Sequence, residues 1–246
     1  MDLRHVPLEV LAGYPRLMRA LERGRLDPAR DVLEVGPAAH HFMGGVRIDE
    51  RCWTGIPGLY AAGENAGGVH GANRMAGNSG PDGLVFGRIA GIEAARTRSS
   101  VGARPRGKNA APRATPRSSR AHAAARQRIR RLMMAEAGFA REPDGLERAR
   151  CELIDLWRSV GRTPMCPDQA DVLSLVTSAL TVVTGALLRK ESRGAHYRLD
   201  HPAPDDRRYL GSFAIRLERP GDPSTLIHRW LPRAERSTGT PTAEAR

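Results

Sequence analysis

Lysine, cysteine and aromatic residues are all scarce in this 246-residue chain, and each shortage narrows what it can be. Only Lys108 and Lys190 are lysines among 39 basic residues, so arginine carries the positive charge. The three cysteines, Cys52, Cys151 and Cys166, form no closely spaced ligand pair and leave one over in any disulfide scheme. That predicts reduced thiols, no metal site and a cytosolic setting. With aromatics at 4%, little is available to stack on nucleic-acid bases. The longest low-charge run, residues 172–188, falls short of a bilayer span, carries several hydroxyl residues and a glycine, and is closed by Arg189-Lys190-Glu191. It reads as a buried core helix, and no transmembrane segment is predicted. The first fifteen residues interleave charge with apolar side chains, unlike a signal peptide.

What is present is an ordinary globular balance, 40% hydrophobic and 27% charged, with a net charge of +12. The excess is local. Residues 94–135 contain no acid, and their twelve arginines and lysines account for all of it. Within that stretch, residues 97–123 are rich in Ser, Pro, Gly and Ala and have no apolar periodicity. Such a segment cannot bury enough surface to offset its ordering entropy, which predicts a disordered, arginine-rich linker open to trypsin. A polyanion-binding arm is the weaker reading, so nucleic acid is disfavoured as a partner.

Before the linker, residues 31–35 and 46–48 read as short strands, and Pro57-Gly58 as a turn feeding a buried strand that ends at Gly63. Asn78-Ser79-Gly80-Pro81-Asp82 carries helix-start signals, with Ser79 as N-cap, and the helix is predicted to run to about residue 95. Gly83, Gly87 and Gly91 recur every four residues on one face, which suggests close packing against a sheet or ligand. Beyond the linker, residues 126–137, 146–160 and 171–190 have helical spacing, and residues 211–218 a strand pattern.

Three clusters have the makings of chemistry. The first is Pro37-Ala38-Ala39-His40-His41-Phe42-Met43-Gly44-Gly45. In the second, a strand ending at Gly63 delivers the Glu64 carboxylate into a glycine-lined loop, Gly67-Gly68-Val69-His70-Gly71-Ala72-Asn73-Arg74. Glycines admit a flat or polyhydroxylated ligand to the backbone, and a carboxylate there accepts bonds from hydroxyls. Arg74 adds a planar fork suited to a carboxylate, and the helix start at Ser79 offers free N–H groups to an anion. The third cluster is Arg189-Lys190-Glu191-Ser192-Arg193-Gly194-Ala195-His196-Tyr197-Arg198.

With these motifs in order, residues 1–96 resemble the back half of the flavoprotein subunit of succinate dehydrogenase and fumarate reductase, a family that includes L-aspartate oxidase. The third cluster resembles that family's C-terminal helical domain. The resemblance implies an α/β fold, the C-terminal half of an FAD-binding domain with a remnant of the capping domain, followed by a small helical C-terminal domain. The expected divisions are a capping remnant at 1–31, the flavin half-domain at 32–96, the linker at 97–123, the helical domain at 124–200 and a tail with one strand at 201–246.

By position, His40 and Arg74 resemble the family's substrate-carboxylate residues, and Glu64 the residue that holds the flavin ribityl chain. Gly63, Asn78, Ser79 and Gly80 resemble the surrounding FAD contacts. Arg193 and His196 are expected to tie the helical domain to the flavin domain. His41 stands where the family usually has tyrosine and is assigned no role. Gly80-Pro81 replace a common pair of leucines. No Gly-x-Gly-x-x-Gly occurs, so the nucleotide-binding unit is expected to be absent, and the resemblance implies that the family's proton-delivering arginine lies upstream of the stretch matched by residues 1–5.

The implied activity is FAD-dependent oxidation of a short dicarboxylate, or the reverse reduction, by hydride transfer to or from flavin N5, in a partial chain. Met43 before the double glycine favours the succinate/fumarate branch. L-aspartate oxidase is the alternative within the class. A non-catalytic docking module for a flavoprotein or iron–sulfur partner is the alternative outside it. The implied partners are the missing N-terminal flavoprotein half and an iron–sulfur subunit, the latter allowing peripheral attachment to the inner membrane.

Overall fold

The structure is a computed structural model describing residues 1–36, 39–98, 120–161, 166–219 and 221–233. Two compact units divide the chain, Met1–His40 and His41–Arg246.

In the first unit, α1 (Leu8–Ala12) and α2 (Pro15–Gly24) follow one another. Pro15 sits in the first turn of α2, where a missing N–H costs nothing, and Arg25 ends the helix in the left-handed region at φ 54°. Leu11, Leu21 and Leu33 are its buried apolar residues. The expected strand at 31–35 reduces to one bridge, Asp2 to Val32, with the Leu33 N–H donating to the Met1 carbonyl at 2.9 Å. This pairing ties residues 32 and 33 to the first residues of the unit.

The second unit opens on β1 (Val46–Arg47), paired in parallel with β2 (Ala66–Gly67). Between them lies a hairpin-like excursion. Its Ile56-Pro57-Gly58-Leu59 turn has Gly58 at φ 77° and the Leu59 N–H bonded to the Ile56 carbonyl at 3.0 Å, as proline-glycine at the centre of a turn favours. The strand expected after it is only a bridge, Trp53 to Tyr60, and Tyr60 is half-buried. Helix α3 (Ser79–Arg98) then runs three residues past the expected end. Among the described residues its glycine stripe is largely open, with Gly63 lying near Gly83. A Cβ added at Gly83, Gly87 or Gly91 would meet nothing within 4 Å, and Leu84 is 77% exposed.

The helical module consists of α4 (Arg120–Glu136), α5 (Pro143–Val160) and α6 (Pro167–Leu188). Pro143 and Pro167 open α5 and α6, each with an aspartate in the first turn, where the helix dipole favours negative charge. Leu146, Ala149, Leu153 and Trp157 form the buried stripe of α5, and Val172, Val176, Leu180 and Val183 that of α6, with Ile129 of α4 closing the core. Each large apolar side chain so buried contributes about 1.5–3 kcal/mol. Helix α6 starts four residues earlier than the pattern indicated and is long and apolar enough by composition to cross a membrane, while that stripe lies in the core.

After α7 (Asp206–Tyr209), β3 (Gly211–Leu217) pairs antiparallel with β4 (Leu226–Pro232), a strand the sequence reading missed. Pro223 and scattered charges hide its alternation. The pairing sets Phe213 against Trp230, ring centroids 4.9 Å apart. Of the expected linker, residues 97–98 belong to α3 and 120–123 to α4, while 99–119 lie outside the described residues. All three cysteines are free, and no cluster of metal-ligating side chains occurs among the described residues.

Candidate functional site

Glycine brings the first two clusters together. A Cβ on Gly45 would fall 2.5 Å from the Asn65 carbonyl oxygen, and one on Gly67 would fall 2.8 Å from the Gly45 nitrogen. Only glycine lets these backbones approach so closely, and the approach carries residues 41–45 alongside Glu64. Gly63, at φ 73°, opens a short 3-10 turn over Gly63–Asn65 that projects the Glu64 side chain. The Phe42 N–H donates to Glu64 Oε1 at 2.9 Å, and His41 Nδ1 lies 3.5 Å from Oε2. About half of the Glu64 side chain stays exposed, so its carboxylate keeps acceptor capacity for further donors.

His41 is more than a spacer. Its side chain is nine-tenths buried, it meets the His70 ring edge-on at 5.4 Å between centroids, and its Nε2 is buried with no partner. His70 Nε2 in turn lies 3.1 Å from Asp82 Oδ2 in the first turn of α3. Asp82 therefore does not simply face the helix dipole. It anchors the glycine-rich loop, and its other oxygen, Oδ1, is buried without a partner. The sequence reading missed His41, His70 and Asp82 as a group. The one available signal was an acid in a first helical turn twelve residues after a histidine.

The expected N-cap also shifts by one. The Asn78 carbonyl accepts the Asp82 N–H at 3.0 Å, so Asn78 flanks the helix and Ser79 is its first residue. Asn78, Ser79 and Gly80 are all exposed, and no neighbour lies within 4 Å of where a Gly80 Cβ would be. Arg74 is half-buried. Its Nη1 donates to the Met75 carbonyl at 3.0 Å, and its Nε is buried with no partner. His40 is exposed at the end of the first unit, whereas Arg74 and Glu64 belong to the second.

These features fit an FAD. Three buried polar atoms without partners, a half-exposed carboxylate and an exposed helix start with open space beside its glycines provide donors and acceptors for a polar, flat group.

Arg193 and His196 form their side-chain bonds at the foot of the helical module. Their side chains brace their own module: Arg193 bonds Glu191 and Asp206, and His196 sits between Arg141 and Arg189. Contact with the glycine-rich loop comes instead from the backbone between them, the Ala195 N–H donating to the Ala72 carbonyl at 3.1 Å. Because a guanidinium can only donate, His196 Nδ1 accepts from Arg141 at 2.7 Å, and Nε2–H donates to the Arg189 carbonyl at 3.0 Å. Burial, then the charges of Arg141, Arg189 and Arg198, push the His196 pKa down to about 4.

A folded-state pKa below the unfolded one means that the unfolded chain binds the proton first. The stabilisation is therefore complete above about pH 6.5 and lost as pH falls through 4. His196→Gln, which keeps an acceptor and a donor but cannot titrate, should remove about 1–2 kcal/mol of this pH dependence, allowing for partial solvent screening. Urea unfolding of both proteins at pH 7 and pH 4.5 checks this. An equal pH loss in both would contradict it.

A mixed helix–strand chain whose glycine-lined loops could hold a flavin, followed by a helical module, defines the class. Comparison with known proteins narrows it. Residues 15–79 match the FAD binding domain model and residues 126–229 the fumarate reductase flavoprotein C-terminal model. The L-aspartate oxidase of Rhodospirillum rubrum is 39% identical over 199 residues, covering 78% of this chain and 67% of that protein. One chain of the fumarate reductase (CoM/CoB) of Methanothermobacter marburgensis is 35% identical over 223 residues, covering 82% and 40%. A quinol–fumarate reductase solved with menaquinol molecules superposes with a TM-score of 0.78 at 27% identity, covering 98% and 45%. The chain belongs to the succinate dehydrogenase/fumarate reductase flavoprotein family, whose members, L-aspartate oxidase among them, are FAD-dependent oxidoreductases. It spans about two thirds of one of these relatives and under half of the other two.

Proposed function

We propose that this chain supplies the substrate-side half of a flavin site for oxidation of a short dicarboxylate, or for the reverse reduction. The observation that carries this reading is the Glu64 carboxylate, held by the Phe42 N–H beside His41 at the head of the loop that bears Arg74. Bound FAD supplies the hydride acceptor or donor at its N5. The protein's task is to hold and orient. Glu64 accepts from ribityl hydroxyls. Asn78, Ser79 and Gly80 present the start of α3 to the electron-rich edge of the ring. Arg74 takes one substrate carboxylate in a two-pronged bond, and His40 takes the other.

The nucleotide-binding half comes, in this reading, from residues outside these 246. Its support is the missing Gly-x-Gly-x-x-Gly and the uncovered glycine face of α3. An iron–sulfur subunit would receive the electrons, with the assembly cytoplasmic or peripheral at the inner membrane. Arg193 and His196 would dock the helical domain through the turn that they brace. L-Aspartate as substrate is the second reading, favoured by the 39% identity with the Rhodospirillum rubrum oxidase.

The chain by itself is expected to carry FAD well below one per molecule, because it has no Gly-x-Gly-x-x-Gly to bind the adenosine diphosphate. Flavin absorbance after gel filtration tests this, and stoichiometric yellow protein would refute the divided site. Co-expression with a family nucleotide-binding half, followed by assays on succinate, fumarate and L-aspartate, tests the substrate class. Loss of flavin-normalised turnover on all three would sink the reading.

A further inference from the structure

We infer that the 193–196 turn of the helical module is a positioning device for Arg74, setting the loop that carries it through a backbone contact that only glycine permits. The inference rests on Arg74 as the carboxylate-binding residue proposed above.

The loop needs an external anchor. Between Gly67 and Gly77 it contains four glycines, of which Gly68, Gly71 and Gly77 lie at φ 106°, 59° and 85°. Such a segment has little stiffness of its own. Besides the pairing of Gly67 with β1 and the His41 ring against His70, two hydrogen bonds fix it from outside: His70 to Asp82, and Ala72 to the turn. The second falls two residues before Arg74.

The turn, by contrast, is rigid. Its ends exchange two hydrogen bonds, Arg193 N–H to the His196 carbonyl at 2.8 Å and His196 N–H to the Arg193 carbonyl at 3.0 Å. Arg193 is held by Glu191, which is fully buried, and His196 is wedged between Arg141 and Arg189. Behind it, the buried Arg198 makes a two-pronged bond to Asp200 and donates to the Ala186 carbonyl near the end of α6. The turn thus carries the geometry of the three-helix core to its tip.

At that tip the fit is close. Gly194 is left-handed at φ 57°, and a Cβ there would press into the Ala72 carbonyl, 2.5 Å from its carbon and 2.9 Å from the Ala72 Cβ. Because the obstacle is backbone, it cannot rotate away. Any side chain at position 194 must push the Ala72 segment, and Arg74 with it, off the turn. The requirement therefore reaches past the turn's own conformation: asparagine tolerates a left-handed φ but still brings a Cβ.

The test is amide hydrogen exchange by mass spectrometry on the whole chain, comparing wild type with Gly194→Ala and Gly194→Asn. Both variants should speed exchange in residues 70–76 about tenfold or more, with exchange in α5 and α6 unchanged. If Asn behaves as wild type and only Ala speeds exchange, the turn's φ is at issue, and the clamp is overturned. Unchanged exchange in both variants, or melting of α5 and α6 in both, also overturns it. In the flavin-loaded assembly, both variants should raise the dicarboxylate KM at least tenfold, with kcat changing less and flavin content unaltered. Faster exchange with an unchanged KM would uphold the clamp while removing Arg74 from substrate binding. The two claims therefore fail separately.

Discussion

Glu191→Ala is expected to be among the most destabilising single substitutions in the helical module, lowering its unfolding free energy by about 3–5 kcal/mol. Glu191 is fully buried and takes bonds from Arg193 Nε and Nη2 at 3.0 Å each, from the Asp205 N–H at 2.7 Å, and from Arg189. Burial alone would raise its pKa. The Arg193 bonds, the Asp205 N–H and Arg189 outweigh that and hold it below the ordinary carboxylate value. Alanine leaves two guanidinium groups facing one another without the anion between them.

The consequences reach further, because Arg189 also ties the chain's scarce aromatics together. Its guanidinium lies 5.7–5.8 Å from the ring centres of Tyr209, Phe213 and Trp230 and donates to the Tyr209 and Gly211 carbonyls. Glu191→Gln keeps the shape but turns an amide donor toward donors, so an intermediate loss of about 2 kcal/mol is expected. Since the folded pKa is depressed, the carboxylate's contribution is complete above about pH 4.5 and declines as pH falls from there through the folded value. Urea melts at pH 7 and pH 3.5 should show a large gap between wild type and Glu191→Ala at the first and a narrower one at the second. A gap under about 1 kcal/mol at pH 7 would place Glu191 among ordinary surface charges.

The second large effect concerns catalysis in the flavin-loaded assembly. Arg74→Ala should cost about 2–4 kcal/mol of transition-state binding, roughly a 30- to 900-fold fall in kcat/KM, with flavin content retained. Arg74→Lys should not rescue it, since an ammonium cannot reproduce the planar fork. Glu64→Ala should do the converse. Removing the carboxylate held by the Phe42 N–H takes away the acceptor for ribityl hydroxyls, so flavin content falls while turnover per bound flavin changes less. Flavin absorbance and turnover normalised to it separate the two. If Arg74→Ala loses flavin and keeps normalised turnover, the roles are reversed.

Much of this was legible in the order of residues. Periodicity located α5 and α6 because Leu146, Leu153 and Trp157, and Val172, Val176 and Val183, repeat at helical spacing whatever they pack against. Pro57-Gly58 announced its turn because the conformations that proline and glycine adopt are local properties. The motifs 37–45, 58–74 and 189–198 carried the family, since a motif is a property of sequence alone.

Other features depend on what lies opposite. Strand β4 exists because β3 offers a partner, and two short β segments shrank to bridges because no neighbour extends them. Asp82 looked like a helix-start acid, and only folding places His70 3.1 Å away to make it a loop anchor. The side chains of Arg193 and His196 are engaged within their own module, and it is the Ala195 N–H and the bare Gly194 Cα that meet Ala72. Backbone approach of this kind leaves almost no mark in a sequence. A glycine is permitted at many positions, and only the tertiary structure reveals where another backbone lies against it and makes it required.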